Sequence, residues 1–232
     1  MAVLILLIVL ALVALFIVSA INRKQAQDQA RRAQQRKLKL KADAIVDIVN
    51  CLEQTIPNYL IAKYIFDENI LVLQQILQLE TGSKTHIENS IRHALARSED
   101  FAKTYTHASY QKDSDAQISH TQVQLSEAVG ILRHLCAQGK FSDIELETFT
   151  SELSWAFLMV SVVSFIAQGY KFSSLGDRFT AQGYYQKAQT LLMESLHADP
   201  RRVRMIKELS ELIEGSRKSM SRDLMPERPN LD

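Results

Sequence analysis

Residues Leu153–Tyr170 read LSWAFLMVSVVSFIAQGY, eighteen residues without a charge. Whether they cross a membrane or fill a protein core decides the fold. Length alone permits a crossing, since an apolar run of about eighteen residues or more is a candidate span. The composition argues for a core. Ser154, Ser161, Ser164, Gln168 and Gly169 interrupt the run, while Trp155, Phe157, Leu158, Val162, Phe165 and Ile166 suit a helix enclosed by other helices. The stretch is therefore read as the buried central helix of a bundle.

The charges around it agree once the N-terminus is considered. Met1–Ile21 contains no charge and is built almost wholly of Leu, Ile, Val, Ala and Phe. At about 1.5 Å per residue, roughly twenty helical residues cover the roughly 30 Å hydrocarbon core of a bilayer, so residues 1–21 are expected to be a transmembrane anchor. Arg23, Lys24, Arg31, Arg32, Arg36, Lys37, Lys39 and Lys41 follow it, and no Lys or Arg precedes it. The positive-inside rule then puts the N-terminus outside and the rest in the cytoplasm. A second span at 153–170 would carry Lys171, Arg178, Arg201 and Arg202 outward, against the same rule. A secretory signal peptide cut after Val18-Ser19-Ala20 is the competing reading. It lacks a basic leading region, its apolar stretch is too long, and the positive charge beyond the cut opposes export. A single-pass protein of an inner (plasma) membrane is the expectation.

Charge is divided along the chain. Residues 22–41 carry +7 and residues 42–232 carry −6, within a total of +1. A basic collar directly cytoplasmic of a span is drawn to anionic lipid headgroups by about 1 kcal/mol per residue near the surface, so the eight collar residues are assigned to membrane-surface contact. The collar has no interleaved aromatics and lies within reach of lipid, which speaks against nucleic acid as its partner.

With seven Gly and four Pro in 232 residues, and no Asn-Gly or Asp-Gly turn, the composition favours helices over sheet. The expected fold is all-α, an N-terminal transmembrane helix followed by a cytoplasmic helical bundle. Residues 22–43 form a basic juxtamembrane stalk that continues the first helix, and 44–168 form the bundle. Pro57 breaks a helix that shows Ile45, Ile48, Val49 and Leu52 on one face. Gly82 stops the next, and Thr85 with Glu88 has capping-box spacing for a third running through Tyr105. Gln111–Gln117 reads as a loop. A fourth helix runs from about Ser119 to Gln138, and Ser142 with Glu145 forms a capping box for the fifth. Residues 219–232, with Pro226 and Pro229, are expected to be a disordered tail.

From Gly169 the chain shows Phe172, Leu175, Gly176, Phe179, Gly183, Tyr185, Ala188, Leu192, Ser195, Leu196 and Pro200. At this spacing the stretch 169–202 resembles one tetratricopeptide repeat, with Phe172 and Ser195 departing from the usual Trp and Ala. The resemblance implies a helical hairpin with a capping helix over 169–218. In it Gly176, Gly183 and Ala188 let the helices approach, while Phe172, Phe179, Tyr185 and Leu192 fill the space between them. It also implies protein binding, with Lys171, Arg178, Tyr184, Lys187 and Arg201 as candidate contacts. A single repeat cannot bury its own faces and must lean on a neighbour, for which the helix from Leu153 is available.

Residues with chemical potential are dispersed. His86, His93, His107, His120, His134 and His197 lack metal-binding spacing. Cys51 and Cys136 sit in apolar helical patterns as buried thiols, and no phosphate loop or nucleophile elbow occurs. The sequence offers no catalytic, cofactor-binding or metal-ligating residue. The expected function is a membrane-anchored adaptor or assembly factor that binds another, unidentified protein through its cytoplasmic domain. The alternative is an enzyme, or a regulatory subunit of a membrane enzyme, with a site inside the bundle.

Overall fold

The computed structural model describes the backbone of residues 2–104 and 109–225, and within it every side chain except those of residues 2–15, 17, 18, 20 and 102–104. Seven helices are found among the described residues, and no strand. They are α1 (Ala2–Thr55), α2 (Tyr59–Leu79), α3 (Thr85–Thr104), α4 (Asp115–Ala137), α5 (Asp143–Ser174), α6 (Arg178–Glu194) and α7 (Arg201–Glu214). The chain divides into two compact units, Met1–Ala44 with Asn69–Ala96, and Ile45–Glu68 with Arg97–Asp232.

In the first unit α1 carries the basic collar. Arg23, Lys24, Arg32, Arg36, Lys37, Lys39 and Lys41 are exposed. Arg31 is turned inward, pairing with Asp28 at 3.2 Å and donating to Thr81 Oγ1 at 3.1 Å. The end of α2 is capped by Glu80, whose carboxylate accepts the N–H groups of Thr81 and Gly82 at 3.0 and 2.8 Å. These backbone bonds, that of Gly82 foremost, hold its pKa below the ordinary glutamate value. Nearly all side chains of the apolar stretch expected as an anchor lie outside the described residues. α1 itself is unbroken from Ala2 to Thr55.

The second unit is organised on α5, against which α4 and α6 pack, while α7 packs on α6. Among the described residues, α5 is the one helix long and apolar enough to cross a membrane, and most of that stretch is buried within the protein. Met159, Val162, Val163, Ile166 and Tyr170 join Ala181, Tyr185, Ala188 and Leu192 of α6 in one core. The helix starts where the sequence says it should, because Ser142 and Glu145 form the reciprocal capping box. Ser114 similarly accepts the Gln117 N–H, starting α4 at Asp115, four residues before the expected start. Thr85 is already helical, the first residue of α3, and Tyr105 lies outside the described residues.

Three expectations are corrected. First, the close helix approach is made by Gly169, not Gly183. A Cβ at Gly169 would fall inside the Tyr185 ring, whereas one at Gly183 would meet nothing within 4 Å. Second, the chain turns at Leu175–Asp177, with Gly176 at φ +82° in the left-handed region that closes a helix. Leu175 and Phe179 flank this turn; Phe179, expected to fill the space between the helices, is 88 % exposed, and Leu175 and Leu196 are exposed too. Residue 169, taken as the start of a repeat, lies inside α5, and α6 runs through Gly183 without a break. Tyr185, Ala188 and Leu192 form the buried face of α6, Phe172 stacks on Tyr184 at 5.5 Å, and α7 begins immediately after Pro200.

Third, the tail is packed at least as far as Met225. Met220, Leu224 and Met225 are buried. The Met220 N–H donates to Tyr170 Oη at 2.6 Å, and Ser221 donates both its N–H and its hydroxyl to Glu208 at 2.8 and 2.6 Å. Glu208 is itself buried, so these bonds supply the satisfaction that a buried carboxylate requires. Residues 216–225 thus form a strap across α5 and α7. Residues 226–232 lie outside the described residues.

Candidate functional site

The first three turns of α5 present Ile144, Glu147, Thr148, Ser151, Glu152 and Trp155 at intervals of three and four residues, which places them along one side of the helix. The α6–α7 connection runs beside this face and adds His197, Asp199 and Arg201. Together they line an open groove of about 480 Å³.

The connection holds its shape through a chain of local bonds. Ser195 Oγ accepts the His197 N–H at 3.2 Å, and His197 Nδ1 accepts the Asp199 N–H at 3.2 Å. With Nδ1 acting as acceptor, the ring proton sits on Nε2 and is donated to the Ser151 carbonyl at 3.0 Å, tying the loop to α5. Asp199 accepts the backbone N–H, Nε and Nη2 of Arg201, at distances down to 2.7 Å. The Arg201 guanidinium lies 4.9 Å over the Trp155 ring, and the His197 ring is 5.2 Å from it. Trp155 is only 4 % exposed, and its indole N–H is buried without a partner.

Electrostatically the groove is acidic. Glu147, Glu152 and Asp199 face one guanidinium, and that guanidinium is committed to Asp199. Glu152 accepts from Asn58 at 2.8 Å. The Arg201 hydrogen bonds, above all, hold the Asp199 carboxyl below the ordinary aspartate value. The sign of the linkage follows. A carboxylate whose folded pKa is depressed contributes stability that is present above the unfolded value and lost as pH falls through the folded one. Trp155 is the chain's single tryptophan, so its emission reports the clamp. We expect that emission to stay constant down through the ordinary aspartate range and to change only below it. Asp199→Asn, which cannot titrate, should abolish the acid transition; an unchanged transition in that variant would assign the signal to another group.

The remaining reactive side chains do not converge. Burial pushes the Cys51 thiol up, and the Cys136 thiol is raised by the hydrogen bond it donates to the Asp143 carboxylate at 3.2 Å. Neither is poised as a thiolate nucleophile. His134 bonds Gln138, the residue that follows α4, and His86 and His93 are exposed on α3. No group of three or more His, Cys, Asp or Glu side chains among the described residues is placed to hold a metal ion. A second hollow, bounded by Asp47, Cys51, Lys112 and His120 among others, is lined by polar groups.

Of the candidate contacts read from sequence, only Arg201 lines the groove. Lys171, Arg178 and Lys187 are exposed elsewhere, and Tyr184 lies between Phe172 and the Lys187 ammonium. Trp155, read as core, forms the floor. His197 and Asp199 were not singled out as contacts, and the signal available was local: Asp199-Pro200-Arg201 places an acid and a base two residues apart at a helix start. No protein-family model, no curated protein and no solved structure matches the chain.

Proposed function

We propose that this protein is a single-pass, membrane-anchored helical adaptor or assembly factor, N-terminus outside, whose cytoplasmic body holds another protein at the inner face of the membrane. The observation that carries the reading is the order of features along α1. An apolar stretch of anchor length leads without a break into seven exposed cations and then into a packed helical unit. The exposed collar suits anionic headgroups, and tethering raises the effective concentration of whatever the body recruits beside membrane components. Further support comes from the groove, where the ionised side chains of Asp199 and Arg201 are committed to each other and the surface is open rather than enclosed. That pattern suits recognition of a chain segment better than catalysis.

Topology tests this directly. With a reporter active only outside the cytoplasm fused after Asp232, and a cytoplasm-active reporter in a parallel fusion, the expected result is signal from the cytoplasmic reporter alone, on an uncleaved protein. Signal from the outer reporter overturns the reading. The size of the protein then separates export after cleavage from insertion of α5.

A further inference from the structure

We infer that the groove beside Trp155 is the protein-binding surface, and that its occupant is a basic amphipathic helix of the partner, with apolar residues on one side and Lys or Arg on the other. The inference rests on the adaptor reading and adds the place and the chemistry of recognition.

Four observations converge. Ile144, which lines the groove at the head of α5, is 77 % exposed, and Leu196, next in the chain to the lining residue His197, is 97 % exposed, so bare aliphatic side chains stand in the groove and on the loop that borders it. Between them, Glu147 and Glu152 leave the groove with two carboxylates beyond the Asp199–Arg201 pair, and α5 carries no cation before Lys171. Charge complementarity therefore selects a cationic occupant, and opposite potentials favour both encounter and register. The floor is Trp155 covered by the exposed Arg201 side chain, so arginine, a residue type enriched in binding hot spots, is what the floor presents. That floor is preformed, since Arg201 is held by Asp199 and the loop by Ser151, so little side-chain freedom remains to be lost on binding. Finally, the length matches. From Ile144 to Trp155 the face extends about 16 Å, three turns of helix, the span that a partner helix with anchors at i, i+3, i+4 and i+7 occupies in a groove.

The test uses the full chain in lipid nanodiscs of zwitterionic lipid, with Trp155 emission as the readout. The probe is a tryptophan-free, amphipathic Leu/Lys peptide of about four turns, and empty nanodiscs correct for its partition into lipid. A Leu/Glu peptide of the same pattern is the control. The expected result is a saturable change in Trp155 emission with the Leu/Lys peptide and none with the Leu/Glu peptide, weakening as salt is raised. Affinity should fall about tenfold or more in Glu147→Lys and in Leu196→Ser, both exposed positions whose circular dichroism should match that of the parent. No change in emission, an affinity in either variant unchanged from that of the parent, or an equal response to the acidic peptide overturns the inference. Failure here is distinguishable from failure of the adaptor reading: a silent groove in a protein with a cytoplasmic C-terminus removes the binding mode, whereas an external C-terminus removes the adaptor.

Discussion

Leucine at position 169 should abolish the cooperative thermal transition of the α5–α6 body, and alanine there should lower its midpoint. Gly169 is buried, and the space a Cβ would need is already filled by the Tyr185 ring. Tyr185 cannot simply swing away. It is buried, packs edge-on against Tyr170 at 5.9 Å, and its phenol is pushed well above the ordinary range by burial. Two effects oppose each other in Gly169→Ala. Helix propensity favours alanine by about 1 kcal/mol, while overpacking a filled core costs about 1–3 kcal/mol. The clash with a ring wins, and a midpoint lower by about 2–8 °C follows for a body of this size. Pairing Gly169→Ala with Tyr185→Leu should recover part of the loss, since the smaller side chain vacates the space. A raised midpoint in Gly169→Ala alone would mean that the helices are not in contact at this point.

Ending the chain after Lys218 should have an effect of similar size. The deletion removes Met220, Leu224 and Met225 from a core that they share with Tyr170, Met205 and Leu209. Truncating one buried Met or Leu costs about 2–5 kcal/mol, and whole domains are stable by only about 5–15 kcal/mol. The deletion also strips Glu208 of both Ser221 donors, leaving it the Arg217 guanidinium at 3.5 Å. The expected outcome is a protein that proteases cut within α7 under conditions where the full chain is resistant. Ser221→Ala is the milder probe. It keeps the apolar contacts and the backbone donor, removes one hydroxyl, and should cost about 1.5–3 kcal/mol as a hydrogen bond to a charged acceptor. Undiminished protease resistance in the shortened chain would show that the strap adds nothing to the core.

The helices were legible because their ends carry local chemistry. Pro57 and the Ser142–Glu145 box each act within a turn of their own position and mark a boundary seen in the structure, while α2, expected to stop at Gly82, ends at Leu79 under the Glu80 carboxylate. The enclosed character of α5 was legible too, since the serines and the glutamine scattered through an uncharged run suit protein surroundings better than lipid. What could not be read was anything that depends on which side of a helix meets which neighbour. In the sequence, a glycine that admits a ring and a glycine that closes a helix are the same letter. Gly176 and Gly183 were therefore both read as spacers, while the spacer in the structure is Gly169. The strap escaped notice because its apolar residues are few and lie among Ser, Arg and Pro, a composition usually found in free ends. The groove escaped because Trp155 and the 195–201 loop are forty or more residues apart, and because Asp199 and Arg201 acquire their meaning only when that loop is folded back onto α5.

The position of α5 in the chain also has a consequence for how the protein is made. When α5 has left the ribosome, the strap that completes its surroundings is still some fifty residues away. At about 5–20 residues per second, the twenty residues that complete α6 follow in roughly 1–4 s, and until then the uncharged stretch 153–170 has no α6 to cover it. The serines at 154, 161 and 164 and the glutamine at 168 make the bare stretch less apolar than a membrane span requires, and the arrival of α6 then encloses it.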